Sequence, residues 1–276
     1  MDQPSKITRI IPRRGWGSLG LKDVWEFREL LFFLVWREIK GRYRQMALGP
    51  LWIVLKPFIT MVVMSVVFGR LAKLPSDGVP YPLFNYCALL PWTMFSVSVS
   101  KSATSLVSNM GVISKVYFPR LVVPLSSACA GLLDFCFSFL ILLCMMLYFG
   151  YLPGWQVVFL PVYVLLALMA SLALGLCLAT AAVKFRDVGY AVDHLLQVAM
   201  YITPVVYPSS LVPEPWRQIY LLNPMAVVIE GFRWSLLGKG LAPGVSLYLS
   251  AGLVLITLFL GAHLFRRGER NVVDLL

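Results

Sequence analysis

The amino-acid sequence predicts an all-α membrane protein that crosses the bilayer several times. Three observations carry this fold class. Hydrophobic residues make up 59% of the chain and charged residues only 13%, far from the balance of a soluble domain. Several apolar runs reach the roughly 20 residues needed to cross a hydrocarbon core. None shows the alternation over about 10 residues that a membrane barrel strand needs. Residues 1–29 hold many charges and no long apolar run, so no cleavable signal is expected. The five cysteines (Cys87, Cys129, Cys136, Cys144, Cys177) lie in apolar segments and read as small buried hydrophobes, not metal ligands. The net charge of +11 reads as basic cytoplasmic loops rather than a nucleic-acid surface.

Residues 1–21 form a basic arm, with Lys6, Arg9, Arg13 and Arg14. Residues 23–40 contain an apolar run too short to span. At 100° per residue, Lys22, Glu26, Glu29, Arg37 and Lys40 fall on one face. Val24, Phe27, Leu31, Leu34, Val35 and Ile39 fall on the other. The expectation is an amphipathic helix lying in the membrane interface, with Trp25 and Trp36 among its anchors. Packing against protein is the alternative. Six spans follow, at about 52–71, 83–107, 121–149, 157–182, 188–207 and 243–265. Lys56 and Pro57 sit one turn into the first, where the lysine can snorkel to the headgroups. The second span grows rich in Ser and Thr beyond Ser100. Residues 109–120 are too polar to span and read as a loop with a short helix. A tight uncharged turn joins spans three and four. Residues 208–234 form an outer segment, and the Pro-rich stretch Pro204 to Pro224 reads either as two short helices dipping back into the outer leaflet or as an ordinary outer loop. A tail occupies residues 271–276, and residues 22–270 make one transmembrane domain.

An even number of spans puts both termini on one side, and the basic residues choose which. Arg70, Lys73, Arg217, Arg233 and Lys239 are assigned to one set of loops; leaving out Lys56, the other 18 Lys and Arg fall on the opposite side. Both termini are therefore expected in the cytoplasm, and the Pro-rich segment outside. No internal repeat is visible.

The chain lacks a GxxxxGK[ST] phosphate loop, so it has no usual device to cradle ATP. Its two histidines stand far apart, and no catalytic constellation is visible; no enzyme is expected. The sharpest feature is a stripe: Asp187, Tyr190, His194, Gln197, Tyr201 and Pro204 are spaced 3, 4, 3, 4 and 3 apart, within ~100° of arc on a helix. Such a row is costly against lipid and should face the bundle interior or a water-filled path. It is either a seam between helices or a wall for a hydrophilic substrate. Tyr86, Trp92, Phe95 and Ser96 offer a weaker version on span two, where Tyr86 and Trp92 also suit an interfacial belt. Asp134, alone deep in span three, reads as functional, as paired with Lys101 or Lys56, or as protonated. The prolines at 204, 208, 213 and 215 exclude one continuous helix. The cationic loop 109–120 and the Phe185-Arg186-Asp187 turn share the cytoplasmic side, where they either dock a soluble partner or are plain positive-inside loops.

The order of Arg42-Tyr43, Leu48-Gly49-Pro50-Leu51-Trp52, Lys56-Pro57, a Leu90-Pro91-Trp92 turn, Phe118-Pro119, Phe185-Arg186-Asp187, Pro204-Val205-Val206-Tyr207 and Leu222-Asn223-Pro224 resembles the permease subunits of ABC-2-type polysaccharide exporters, the O-antigen, capsule and teichoic-acid group. The resemblance covers residues 22–270 and implies an inner-membrane homodimer above two ATPase subunits. The chain itself would bind no cofactor; ATP and Mg would be used by the partner. The substrate would be a lipid-linked polysaccharide moved outward. By that resemblance Tyr86, Trp92, Phe95, Tyr190, His194, Gln197 and Tyr201 line the path. Pro204, Tyr207, Pro208, Trp216, Asn223 and Pro224 belong to an outer gate. Asn109, Lys115, Tyr117, Phe118, Pro119, Arg120, Arg186 and Asp187 couple to the ATPase. Trp25, Glu29, Trp36, Arg37 and Lys40 belong to the interface helix. The competing expectations are an ABC-2 exporter of a small molecule and an ion-coupled carrier using Asp134.

Overall fold

The computed structural model describes residues 21–43, 49, 51–116, 118–185 and 187–274. The predicted arm (apart from residue 21), Tyr117, Arg186 and the last two residues lie outside these. Among the described residues every regular element is helical. The order is α1 Leu21–Glu26, α2 Arg28–Tyr43, α3 Leu51–Met64 continued as a π-helical segment Ser65–Leu71, α4 Tyr81–Ser108, α5 Met110–Ile113, α6 Val122–Tyr148, α7 Leu160–Lys184, α8 Val188–Ile202, α9 Glu214–Tyr220, α10 Pro224–Leu237 and α11 Val245–Asp274. Short 3₁₀ turns, Trp155–Phe159 and Ser209–Leu211, precede α7 and α9.

Four helical stretches are long and apolar enough to cross a membrane: Leu51–Leu71, Val122–Tyr148, Trp155–Lys184 and Val245–Gly268. The predicted second and fifth spans do not meet that standard, for different reasons. At 28 residues α4 has the length but carries many polar residues. It is the central helix, packed against α3, α6, α7, α8 and α10. Ser98 and Ser102 are buried and donate to the carbonyls of Ala128 (3.2 Å) and Pro124 (3.0 Å) on α6. Protein, not lipid, surrounds these hydroxyls, so an apolar composition is not required. The same contacts are close because Gly131 on α6 and Gly175 on α7 leave room for Ser98 and Ser102. The expected Leu90-Pro91-Trp92 turn is absent: Pro91 lies inside continuous α4, where packing on every side outweighs the lost backbone bond.

α8 is only 15 residues, or ~22 Å at 1.5 Å per residue, short of a ~30 Å core. It stops because Thr203 precedes Pro204 and is forced to extended geometry, φ −88° and ψ 149°. Downstream, α10 is buried over most of its length. Asn223 caps its start, accepting from the Met225 amide at 3.0 Å, with Pro224 at the first helical position. Gly238 ends it in the left-handed region at φ +65°. The last helix runs nine residues beyond the predicted end of span six, to Asp274.

α2 only partly follows the wheel. Val24, Leu34, Phe27, Leu30 and Leu31 do form one apolar face, but it packs on Phe118, Val122 and Val123. Meanwhile Trp25, Phe32, Phe33 and Trp36 are exposed. Polar residues of α2 also hold it to the bundle. Arg37 donates to the Asn109 side chain, and Glu38 accepts from Ser127 at 3.1 Å and lies 3.9 Å from Lys101. Glu29 and Lys40 are exposed, as the wheel expects.

Candidate functional site

The cleft between α4 and α8 is the concave feature that gathers predicted residues. It measures about 390 Å³ and is lined by Trp92, Ser96, Val97, Ser100 and Lys101 of α4 and by Asp193, Leu196 and Gln197 of α8. On α4 these residues follow because Trp92, Ser96 and Ser100 stand one turn apart. Phe95 packs its ring on Trp92, with centroids 5.5 Å apart. The lining offers an aromatic face, two hydroxyls, an amide and two opposite charges, a donor set for a polar, hydroxylated ligand. Lys101, at one end of the cleft, lies 3.9 Å from Glu38 and so links the cleft to α2.

The stripe on α8 does not face the interior of its own bundle. Tyr190 is 86% exposed and Tyr201 50% exposed, and Asp187, Asp193, His194 and Gln197 are exposed as well. Of the α8 side chains only Val192 is buried. Gln197 borders the cleft against α4, while Tyr190, His194 and Tyr201 are exposed and form no packed seam within the single chain. Tyr86, by contrast, is fully buried, and its hydroxyl donates to the Ser138 carbonyl of α6 at 3.3 Å. It belongs to the α4–α6 packing and stands apart from the cleft. Asp134 is half-buried on α6.

Above the cleft, the turn after α8 is fastened from several directions. Arg233 of α10 donates to the Val205 carbonyl at 2.9 Å and the Tyr207 carbonyl at 3.4 Å. Its guanidinium pairs with Glu230 at 3.0 Å and lies over the Phe84 ring, 3.6 Å from the centroid. Tyr81 of α4 donates to the Val206 carbonyl at 2.6 Å. Asn223 donates to Thr203 at 3.1 Å, and the Tyr220 and Tyr207 hydroxyls meet at 3.2 Å. Burial, and then the bond to Tyr207, raise the Tyr220 phenol above its ordinary value. Pro204 and Pro208 are buried within this turn, whereas Trp216 is exposed.

Arg233, expected among the outer-loop charges, is instead buried in α10: the side chains of Arg233 and Glu230 are 1% and 3% exposed. The available signal was an acid and a base three apart in an apolar run, which puts them on one helix face. Among the predicted coupling residues, Asn109 immediately precedes α5 and its side chain accepts from Arg37, Phe118 is buried against α2, Lys115 is exposed, and Pro119 and Arg120 are half-buried. Among the described residues no group of His, Cys, Asp and Glu is placed to hold a metal.

Comparison with known proteins agrees with this architecture. Residues 29–237 match the family described as ABC-2 type transporter. The chain is 36% identical over 216 residues to the O-antigen export system permease protein RfbA of Myxococcus xanthus, covering 77% of this chain and 82% of that protein. It is 27% identical over 206 residues to RfbA of Klebsiella pneumoniae, covering 74% and 79%. It is 25% identical over 242 residues to the polysialic acid transport protein KpsM of Escherichia coli, covering 86% and 92%. With its apolar helices, its central polar α4 and a family match across most of its length, the chain belongs to the ABC-2 type transporter family.

Proposed function

We propose that this chain is the channel-forming permease of an ATP-driven exporter that moves lipid-linked polysaccharide from the cytoplasmic to the outer side of the inner membrane. The outward polar face of α8 is the observation that carries this reading. Tyr190, Asp193, His194, Gln197 and Tyr201 are exposed on the surface of one chain, and lipid cannot solvate them. A second copy of the chain encloses that face and turns it into a water-filled path. The cleft with Trp92, Ser96 and Gln197 opens beside it. Aromatic rings there pack against sugar C–H faces while hydroxyl and amide groups meet the sugar hydroxyls. The relatives named for O-antigen export and polysialic acid transport support the same substrate class.

In this reading the chain crosses the membrane six times, through Leu51–Leu71, α4, α6, Trp155–Lys184, α8 with the turn that follows it, and α11. Both termini are cytoplasmic. α10 is ~21 Å long and re-enters from outside, covered by protein as buried backbone at membrane depth requires. The turn at 203–208 with α9 and α10 is the outer gate, in its closed position. α1 and α2 lie at the interface with Trp25, Phe32, Phe33 and Trp36 toward lipid. Two ATPase subunits dock below, on residues 109–120 and the turn at 185–187. They use ATP and Mg, and closing of the ATPase pair biases the permease between closed and open states.

The test is export in cells. Deleting the chain is expected to remove surface polysaccharide and leave lipid-linked glycan inside. The intact chain should restore it only with an ATPase competent in hydrolysis. Normal surface glycan in the deletion strain would sink the proposal. Loss of export in Asp134→Asn, with transport independent of any ATPase, would favour an ion-coupled carrier instead.

A further inference from the structure

One buried side chain on α4 has polar atoms with no hydrogen-bond partner. Asn85 of α4 is 0% exposed, and both its amide nitrogen and its amide oxygen lack a hydrogen-bond partner. This is unlike the buried serines on the same helix: Ser98, Ser102 and Ser105 each donate to a backbone carbonyl. An amide buried with neither donor nor acceptor satisfied destabilises the fold that holds it. Asn is also a poor choice for a helix interior, so neither packing nor propensity accounts for it.

Its position is informative. On α4, Trp92 and Ser96 stand seven and eleven positions after Asn85, within about 20° of it around the helix axis. Trp92 and Ser96 line the cleft against α8. Tyr81, at the other end, donates to the Val206 carbonyl in the turn that follows α8. Asn85 therefore lies on the side of α4 that looks toward α8 and its turn, one helical turn below the contact with Val206. It lies between the cleft and the turn at 203–208, which is the closed outer gate in the reading above.

We infer that Asn85 is a hydroxyl-binding subsite just inside the outer gate, concealed while the gate is closed and offered to the sugar chain when it opens. This rests on the polysaccharide-export reading above. A neutral amide presents a donor and an acceptor side by side, which suits a pair of sugar hydroxyls and carries no charge to trap a moving polymer. Its unpaired state raises the free energy of the closed form. Partners gained on opening, first water and then sugar hydroxyls, lower that of the open form, so one residue biases the equilibrium toward opening.

Two measurements on the full chain assembled with its ATPase test this. Asn85→Leu keeps the shape and removes the polar atoms. The melting temperature is expected to hold or rise, and export of lipid-linked glycan to slow about fivefold to thirtyfold, the equivalent of one or two neutral hydrogen bonds. Asn85→Cys, in a chain whose five native cysteines are changed to alanine, should resist a charged methanethiosulfonate reagent at rest and react during ATP turnover. Export at the wild-type rate in Asn85→Leu, or a cysteine equally unreactive in both states, overturns the inference. A melting temperature lowered by Asn85→Leu also overturns it, because the amide then serves the fold through a bound water. If the wild-type assembly moves no glycan at all, the export reading itself has failed; if it does and Asn85→Leu matches it, only the subsite is lost.

Discussion

Breaking the pair between Glu230 and Arg233 should have a large effect, and its size can be worked from the contacts. Arg233→Met removes the 3.0 Å ion pair, the bonds to the Val205 and Tyr207 carbonyls and the stacking on Phe84. It leaves Glu230 buried without its counter-charge. Glu230→Leu leaves the reverse, a buried guanidinium held only by carbonyls and a ring. Removing one member of a buried pair costs about 3–5 kcal/mol. At roughly 2–4 °C per kcal/mol for a chain of this size, each single variant should melt about 6–20 °C lower. The double variant Glu230→Leu/Arg233→Met removes both charges, so neither is stranded. Only the two carbonyls remain unserved, at about 1–3 kcal/mol each. The double variant should therefore fall by less than the sum of the singles. The assay is thermal unfolding of the detergent-solubilised chain, followed by loss of the monodisperse peak in size-exclusion chromatography. Single variants that shift by under about 2 °C, or a double variant equal to the sum, would refute the account of Arg233 as a buried clamp.

Three further outcomes are expected. Gln197→Leu with Tyr201→Leu should slow glycan export while the assembly with the ATPase still purifies intact; normal export rates would return the α8 stripe to helix packing. Gly231→Ala places a methyl group inside the ring of buried Tyr163, an overpacking of about 1–3 kcal/mol, so its melting temperature should fall and Tyr163→Leu should restore part of the loss. Asn223→Ala removes the cap on α10 and the bond to Thr203. A loss of about 1 kcal/mol should appear as a melting shift of about 2–4 °C, and no shift would mean that Pro224 alone starts the helix.

Much of the helical framework was legible before any coordinates. Long apolar runs announce α6, α7 and α11, because a membrane helix must satisfy its backbone internally and its surface with carbon. The breaks at 109–120 and 203–224 were legible too, from charge and from proline. Parts of the candidate site were harder. Trp92 and Gln197 were both singled out, and they do meet across one cleft, but Asp193, Ser100 and Lys101 joined them only in three dimensions. Tyr86 had the right composition for a path and turned instead to the Ser138 carbonyl of α6. A helical wheel orders side chains around one helix and says nothing about which neighbour each will find.

The amino-acid sequence alone determined the solvent, the helical class and the family resemblance, since these depend on residue chemistry summed over windows of about 20 residues. Tertiary structure decided what those sums cannot contain. It decided that α4 stays helical through Pro91 and keeps its serines, because other helices rather than lipid surround it. It set the apolar face of α2 against α6 rather than against lipid alone. It buried Arg233 with Glu230 to hold the turn after α8, and it left the amide of Asn85 buried without a hydrogen-bond partner. Each of these depends on contacts between segments far apart in the chain, and the free energy of a buried charge or amide depends on the partner that arrives.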